Sequence, residues 1–210
     1  MMLVYLVRHG ETLFNVQGRV QGQQDVPLTE TGIAQAKVLA QRLRSETFDA
    51  VYSSDLARAR VTAELIAKHL NVPVCSSPLL RESKLGVVEG LTNEEIEEQY
   101  PAHSHEWRRH PESSRPPGAE SISEVVSRTR SFLQELIENH PDGSRVIVVA
   151  HVGSIRGTII AALDLPEHVY RALCVSNASI SILRIGAKPG LLLFNDTCHL
   201  KHVSGTADDC

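Results

Sequence analysis

The chain has 210 residues, with 21 Lys and Arg against 25 Asp and Glu, a formal charge of −4 and a pI near 6.2. That length can bury one sizeable core, and the mild negative balance excludes a nucleic-acid or anionic-membrane surface, which would need a concentrated positive field; any anion site must be local. Four cysteines (Cys75, Cys174, Cys198 and Cys210) lie far apart without CxxC spacing, a pattern of reduced thiols rather than of a zinc site or a disulfide frame.

The opening residues lack the basic and apolar regions of a secretory signal, and no apolar run reaches membrane-spanning length, so a cytoplasmic location is expected. Met2 to Val7 reads as a buried parallel strand that gives out at Arg8-His9-Gly10. A polar stretch rich in Gly and Gln runs on to Pro27, after which Thr29 caps a predicted helix to about Leu43, with Ile33, Ala36, Leu39, Ala40 and Leu43 on one face. Ala50 to Ser53 is a short strand, followed from Asp55 by a helix whose Leu56, Ala59, Ala63, Ile66 and Leu70 keep the 3.6 period.

Val72 to Cys75 is a third strand. Residues 78–118 are expected to be irregular apart from an acidic helix around Asn93 to Gln99, and they form a lid-like insertion in a single domain spanning 1–210. Ser121 and Glu124 have capping-box spacing and open a helix to about Asn139, with Val125, Thr129, Phe132, Leu136 and Ile137 facing inward. Arg145 to Ala150 is a strand ending at His151-Val152-Gly153, with helices expected from Ser154 to Leu163 and after Pro166. Two last strands, near Ala178–Arg184 and Leu191–Asn195, flank the turn at Lys188-Pro189-Gly190. The alternation predicts an α/β fold: a three-layer α/β/α sandwich around a mostly parallel central sheet with an antiparallel edge strand. That terminal edge strand offers a pairing surface for a homodimer.

His9 and His151 both stand where an apolar strand ends, so a parallel sheet puts them at one carboxyl edge, where open α/β sheets bind ligands. A third strand end, Tyr52-Ser53-Ser54-Asp55, leads to Arg58 near that same edge. Two arginines and two imidazoles would then converge, and the planar guanidinium fork matches phosphate oxygens in pairs. An imidazole beside such a cation suggests a phosphohistidine nucleophile.

These residues and their context resemble the histidine phosphatase superfamily, in its cofactor-dependent phosphoglycerate mutase-like branch. The opening block is Arg8-His9-Gly10-Glu11-Thr12 with Asn15, Gly18-Arg19, Gln21-Gly22, Asp25, Pro27-Leu28-Thr29 and Gly32. Ser53-Ser54-Asp55-Leu56-Ala57-Arg58-Ala59 with Thr62-Ala63 is similar to the second block, and Leu80-Arg81-Glu82 with Gly86 and Glu89-Gly90 to the third. Pro117-Gly118-Ala119-Glu120-Ser121 and Val149-Ala150-His151-Val152-Gly153 complete the order, so the resemblance spans nearly the whole chain.

The resemblance implies that His9 attacks phosphorus in line and carries the phosphoryl group, while Arg8, Arg58 and His151 hold its equatorial oxygens. It implies no metal and no cofactor, because cationic side chains do the electrostatic work. Glu82 would protonate the leaving alkoxide and then deprotonate the hydrolytic water, with Glu89 as a nearby second carboxylate. Asn15, Gln21, Gly22 and the backbone N–H of Val152 match positions that line the phosphate pocket.

The family divides by what accepts the phosphoryl group, water in phosphatases or a second substrate in mutases. Mutases carry a tyrosine and a lysine where this chain has Leu85 and Asn93, and the segment between Glu82 and His151 is short for them. Trp107-Arg108-Arg109 pulls the other way, resembling paired substrate arginines and hinting at a second anionic group on the substrate. The expected function is therefore a metal-independent phosphomonoester hydrolase acting on a small, carboxylated phosphorylated metabolite, phosphoserine-like or broad in specificity. Phosphoglycerate mutase and a non-catalytic phospholigand-binding protein are the alternatives. His103, His105 and His110 read as solvated loop histidines, the run Glu94 to Glu98 as an exposed helix face, and His199 and His202 as a tail on the sheet edge.

Overall fold

The computed structural model describes residues 1–109 and 114–203, apart from the side chain of Arg108. Its strands are β1 (Met2–Arg8), β2 (Ala50–Ser53), β3 (Val74–Ser76), β4 (Arg145–Ala150), β5 (Ile180–Ile185) and β6 (Gly190–Asp196). They form one sheet in the order β3-β2-β4-β1-β5-β6. Pairing is parallel from β3 to β1 and antiparallel from β1 to β5 and from β5 to β6. The reversed strand is β5, one place in from the edge, because the hairpin at Lys188-Pro189-Gly190 folds β6 back outside it.

The helices are α1 (Leu13–Val16), α2 (Glu30–Leu43), α3 (Ala57–Leu70), α4 (Asn93–Gln99), α5 (Ser104–Arg109), α6 (Ile122–Asn139) and α7 (Val152–Leu163). The three layers follow from the two-residue period of the central strands. In β1, Val4 and Leu6 point into one core with Val146, Val148 and Ala150 of β4, covered by α6 and α7. Tyr5 and Val7 point into the other with Ile147 and Val149, covered by α2 and α3. Strands buried on both faces are what their unbroken apolar runs require.

Helix starts agree with their caps. Thr29 accepts from Gly32 N at the start of α2, and Thr92 and Ser121 close capping boxes with Glu95 and Glu124 at α4 and α6. Asn71 ends α3 in the left-handed conformation. Three expectations need correction. Ile137 is 54% exposed, because the inward stripe of α6 passes through Phe132, Leu133 and Leu136 and leaves the next position on the far side. Residues 78–118 contain α5 and short 3-10 turns as well as α4. Cys75 and Cys198 are free thiols but Cys174 is disulfide-bonded, since separation along the chain does not tell which sulfurs meet in space. No helix among the described residues is long and apolar enough to cross a membrane.

Candidate active site

Sheet register brings the two histidines together. Arg8 pairs with Ala150 across β1 and β4, and His9 N donates to Ala150 O at 3.1 Å, so His9 and His151 each stand one residue past the last pair. Their ring centroids are 5.1 Å apart. β2 lies on the other side of β4, and Ser54 N donates to Val149 O, which starts the turn into α3 and puts Arg58 in that helix's first turn against the same edge.

A cleft of about 300 Å³ at this edge is lined by Arg8, His9, Asn15, Gln21, Gly22, Arg58, Glu82 and Val152, together with Leu85, Asn93 and Arg156. Most of the sequence-predicted residues thus line one cleft; His151 is fully buried and does not line it, its ring standing beside that of His9. Arg109 is exposed and does not line the cleft, and the Arg108 side chain lies outside the described residues. Leu85 and Asn93, which stand where the resemblance leads one to expect a mutase's tyrosine and lysine, both line the cleft.

Each charged group is held by backbone. Arg8, 2% exposed, donates from Nη1 to Val175 O at 2.6 Å. Arg58, 1% exposed, donates to Gln24 O and Gly22 O at 2.7 and 2.8 Å. Burial lowers its pKa to about 10, so the guanidinium stays charged at neutral pH. Gly22 reaches that contact with φ of +52°, and a Cβ there would run into the Glu89 carboxylate beneath it. Glu89 Oε1 also accepts from Leu85 N at 2.7 Å, so Glu89 braces the loop while Glu82 faces the cleft.

His9 Nδ1 lies 2.7 Å from Gly10 O. A carbonyl only accepts, so Nδ1 carries the proton and Nε2 holds a lone pair. The His9 backbone carbonyl is itself fixed by Asn177 Nδ2 and Ala178 N, each at 3.1 Å, and Asn177 reaches on to Asn15 Oδ1 at 3.3 Å. Neither ring nitrogen of His151 has a hydrogen-bond partner among the described residues, although the side chain is fully buried. A buried polar pair left open in this way is characteristic of a ligand site.

Burial, then the Arg58 and Arg8 guanidiniums, hold His9 well below the usual histidine pKa. Burial, then Arg58 and His9, do the same to His151. Both rings are therefore neutral at pH 7. Below about pH 6.5 the unfolded chain takes up protons that the folded site refuses, so stability contributed by these rings is present above that pH and lost as pH falls. The slope should approach about 1.4 kcal/mol per pH unit for each histidine until the folded pKa is reached. Urea midpoints at pH 7.5 and 5.5 should differ more for the wild type than for a His9→Ala/His151→Ala double variant; identical pH dependence would contradict the assignment.

Glu82 Oε1 accepts from Ser83 N at 2.6 Å and from Gly153 N at 2.9 Å, the latter in the first turn of α7. A Cβ on Gly153 would collide with Ser83 Oγ, Glu82 Oε1 and the Tyr170 hydroxyl, so this glycine is the space in which the carboxylate rests. Three groups at the site escape the sequence reading. Asn177 and the Val175 carbonyl act through or on backbone, which leaves little sequence trace. Arg156 had an available signal, since it lies four residues after Val152 and so one helical turn along the same face.

The tempting clusters elsewhere are ordinary. His103 stacks on Trp107 with centroids 5.7 Å apart, and His199 lies 3.0 Å from Ala178 O at the sheet edge; His110 lies outside the described residues. Among the described residues no three His, Cys, Asp or Glu side chains are grouped to hold a metal ion.

Comparison with known proteins agrees on the superfamily and divides on the activity named. The profile of the histidine phosphatase superfamily (branch 1) matches residues 4–197. A Photorhabdus laumondii protein named "Probable phosphoglycerate mutase GpmB" is 42% identical over 193 residues, covering 86% of this chain and 84% of its own. The mycobacterial glucosyl-3-phosphoglycerate phosphatase, solved with VO3, superposes with a TM-score of 0.86 at 32% identity, over 93% of this chain and 99% of its own. A mutant phosphoserine phosphatase of Entamoeba histolytica in complex with phosphoserine gives 0.84 at 30% identity, over 95% and 100%.

Proposed function

The chain belongs to the histidine phosphatase superfamily (branch 1), and from that premise we propose that it is a metal-independent phosphomonoester hydrolase working through a phosphohistidine at His9, in the cytoplasm, on a small carboxylated metabolite. The observation that carries this reading is the state of His9: a neutral imidazole, its Nδ1 tied to Gly10 O, facing a cleft with two buried guanidiniums. An imidazole so arranged presents its lone pair to an anion that the arginines attract.

In this mechanism Nε2 of His9 attacks phosphorus and the bond to the ester oxygen breaks, with Arg8, Arg58 and an N–H of His151 neutralising the three equatorial oxygens. Asn15, Gln21, Gly22 and the Val152 backbone complete the phosphate pocket. Glu82 gives its proton to the departing alkoxide. The resulting carboxylate takes a proton from water, whose oxygen attacks phosphorus, and the P–N bond breaks to return neutral His9 and phosphate. The proposed catalytic unit is a single domain in which the lid-like segment contributes Glu82, Leu85 and Asn93 to the cleft.

The names of sequence relatives favour a second reading, phosphoglycerate mutase. Against it, the cleft is lined by apolar Leu85 and uncharged Asn93, where the resemblance implies that a mutase would have a tyrosine and a lysine to grip phosphoglycerate. Purified protein in EDTA should release phosphate from p-nitrophenyl phosphate, phosphoserine and 3-phosphoglycerate. Release from none of them would overturn hydrolysis and leave a phospholigand-binding protein, whereas acceleration of monophosphoglycerate interconversion by 2,3-bisphosphoglycerate would establish the mutase.

A further inference from the structure

A second cavity, of about 240 Å³, adjoins the catalytic cleft and shares Glu82, Leu85, Val152 and Arg156 with it. Resting on the hydrolase reading above, we infer that this cavity is the leaving-group subsite, and that it takes an alcohol with an apolar or ring-shaped body and a second anionic group held by Arg156.

The position of Glu82 fixes the direction. A group that protonates the leaving oxygen must lie beside it, and Glu82 stands at the boundary between the two spaces. With phosphorus in the first cavity, the carbon skeleton continues into the second. Beyond Glu82 the apolar part of that wall is Leu85, Trp107, Ile122 and Val125, whose faces suit a ring or a short hydrocarbon body rather than a bare three-carbon acid. Arg115 and Arg171 line it further from the catalytic cleft, which they do not reach.

Arg156 supplies the demand for a second anion. It leaves the second turn of α7, donates from Nε to Leu173 O at 2.6 Å, and its guanidinium carbon lies 5.6 Å from the centre of the Tyr170 ring. Burial lowers its pKa, yet no carboxylate forms an ion pair with it among the described residues, and its two terminal nitrogens have no hydrogen-bond partner there. Tyr170 and then Glu82 favour its ionised form, and the Glu82 carboxylate is already engaged by the N–H groups of Ser83 and Gly153. A half-buried cation whose fork faces the cavity without a protein partner suits a carboxylate or phosphate, and the transferred phosphoryl group would engage Arg8 and Arg58. Arg156, which lines both spaces, is therefore the proposed anchor for the substrate's second charge, ahead of the exposed Arg109.

Benzyl phosphate and its 4-carboxy derivative differ in that charge and have alcohols of nearly equal basicity. The wild type should favour the carboxylated ester in kcat/KM by about tenfold or more, and the ratio should collapse towards one in Arg156→Met and recover in part in Arg156→Lys. Equal turnover of the two esters by the wild type would overturn the subsite without any variant having to fold. A preference that survives in Arg156→Met would overturn the role of Arg156. Failure to hydrolyse either ester or p-nitrophenyl phosphate would instead refute the hydrolase reading on which the subsite rests.

Discussion

Replacing His9 by alanine should lower kcat by about 10⁴-fold or more and remove all covalent phosphate from protein quenched in alkali, where a P–N bond survives, because the alanine has no lone pair with which to attack phosphorus. The loss should come with a folded protein. The His9 ring is neutral and its side-chain hydrogen bond is to the adjacent Gly10 carbonyl, so its removal breaks no long-range bond and leaves a small cavity. Vanadate or inorganic phosphate should still bind, since Arg8 and Arg58 keep their backbone anchors at Val175, Gln24 and Gly22. Rapid labelling with ³²P-substrate followed by alkaline gel analysis reads the intermediate directly. Undiminished label in His9→Ala would place the nucleophile elsewhere.

The second large effect belongs to Glu82 and depends on the leaving group. Glu82→Gln keeps an oxygen for the Gly153 and Ser83 N–H groups but has no proton to give and no charge with which to take one. Phosphoserine leaves as a basic alkoxide and should lose about 10²- to 10⁴-fold in kcat/KM. p-Nitrophenyl phosphate leaves unaided, so its first step should survive while the second, which needs a base for water, slows. The expected signature is a burst of about one p-nitrophenol per active site followed by slow turnover. Equal losses on both substrates, without a burst, would show that Glu82 only braces the loop.

Different parts of the site were legible to different degrees, for physical reasons. His9 and His151 stand out because apolar strands run straight into them, and parallel pairing turns two strand ends into one edge. Arg58 and Glu82 carry little signal alone; one opens an amphipathic helix and the other lies in an irregular segment, and only their order among other motifs marks them. Arg156 was missed because α7 is covered along much of its surface, so a lone arginine there reads as a solvent-facing charge. α5 was missed for another reason: six residues between prolines at 101 and 111 are too few to establish a period. The Val175 and Leu173 carbonyls that hold two of the arginines belong to the backbone, and no side-chain pattern announces them.

The strand order has a consequence for how the protein is made. β1 leaves the ribosome first, yet both of its neighbours come late: β4 begins at Arg145 and β5 at Ile180. During synthesis its apolar edges have no native partner until most of the chain has emerged, so the first strand is the one longest at risk of misplaced pairing. The bond from Asn177 to the His9 carbonyl joins residues 168 positions apart, and so the proposed nucleophile gains this support only once nearly all of the described chain has emerged.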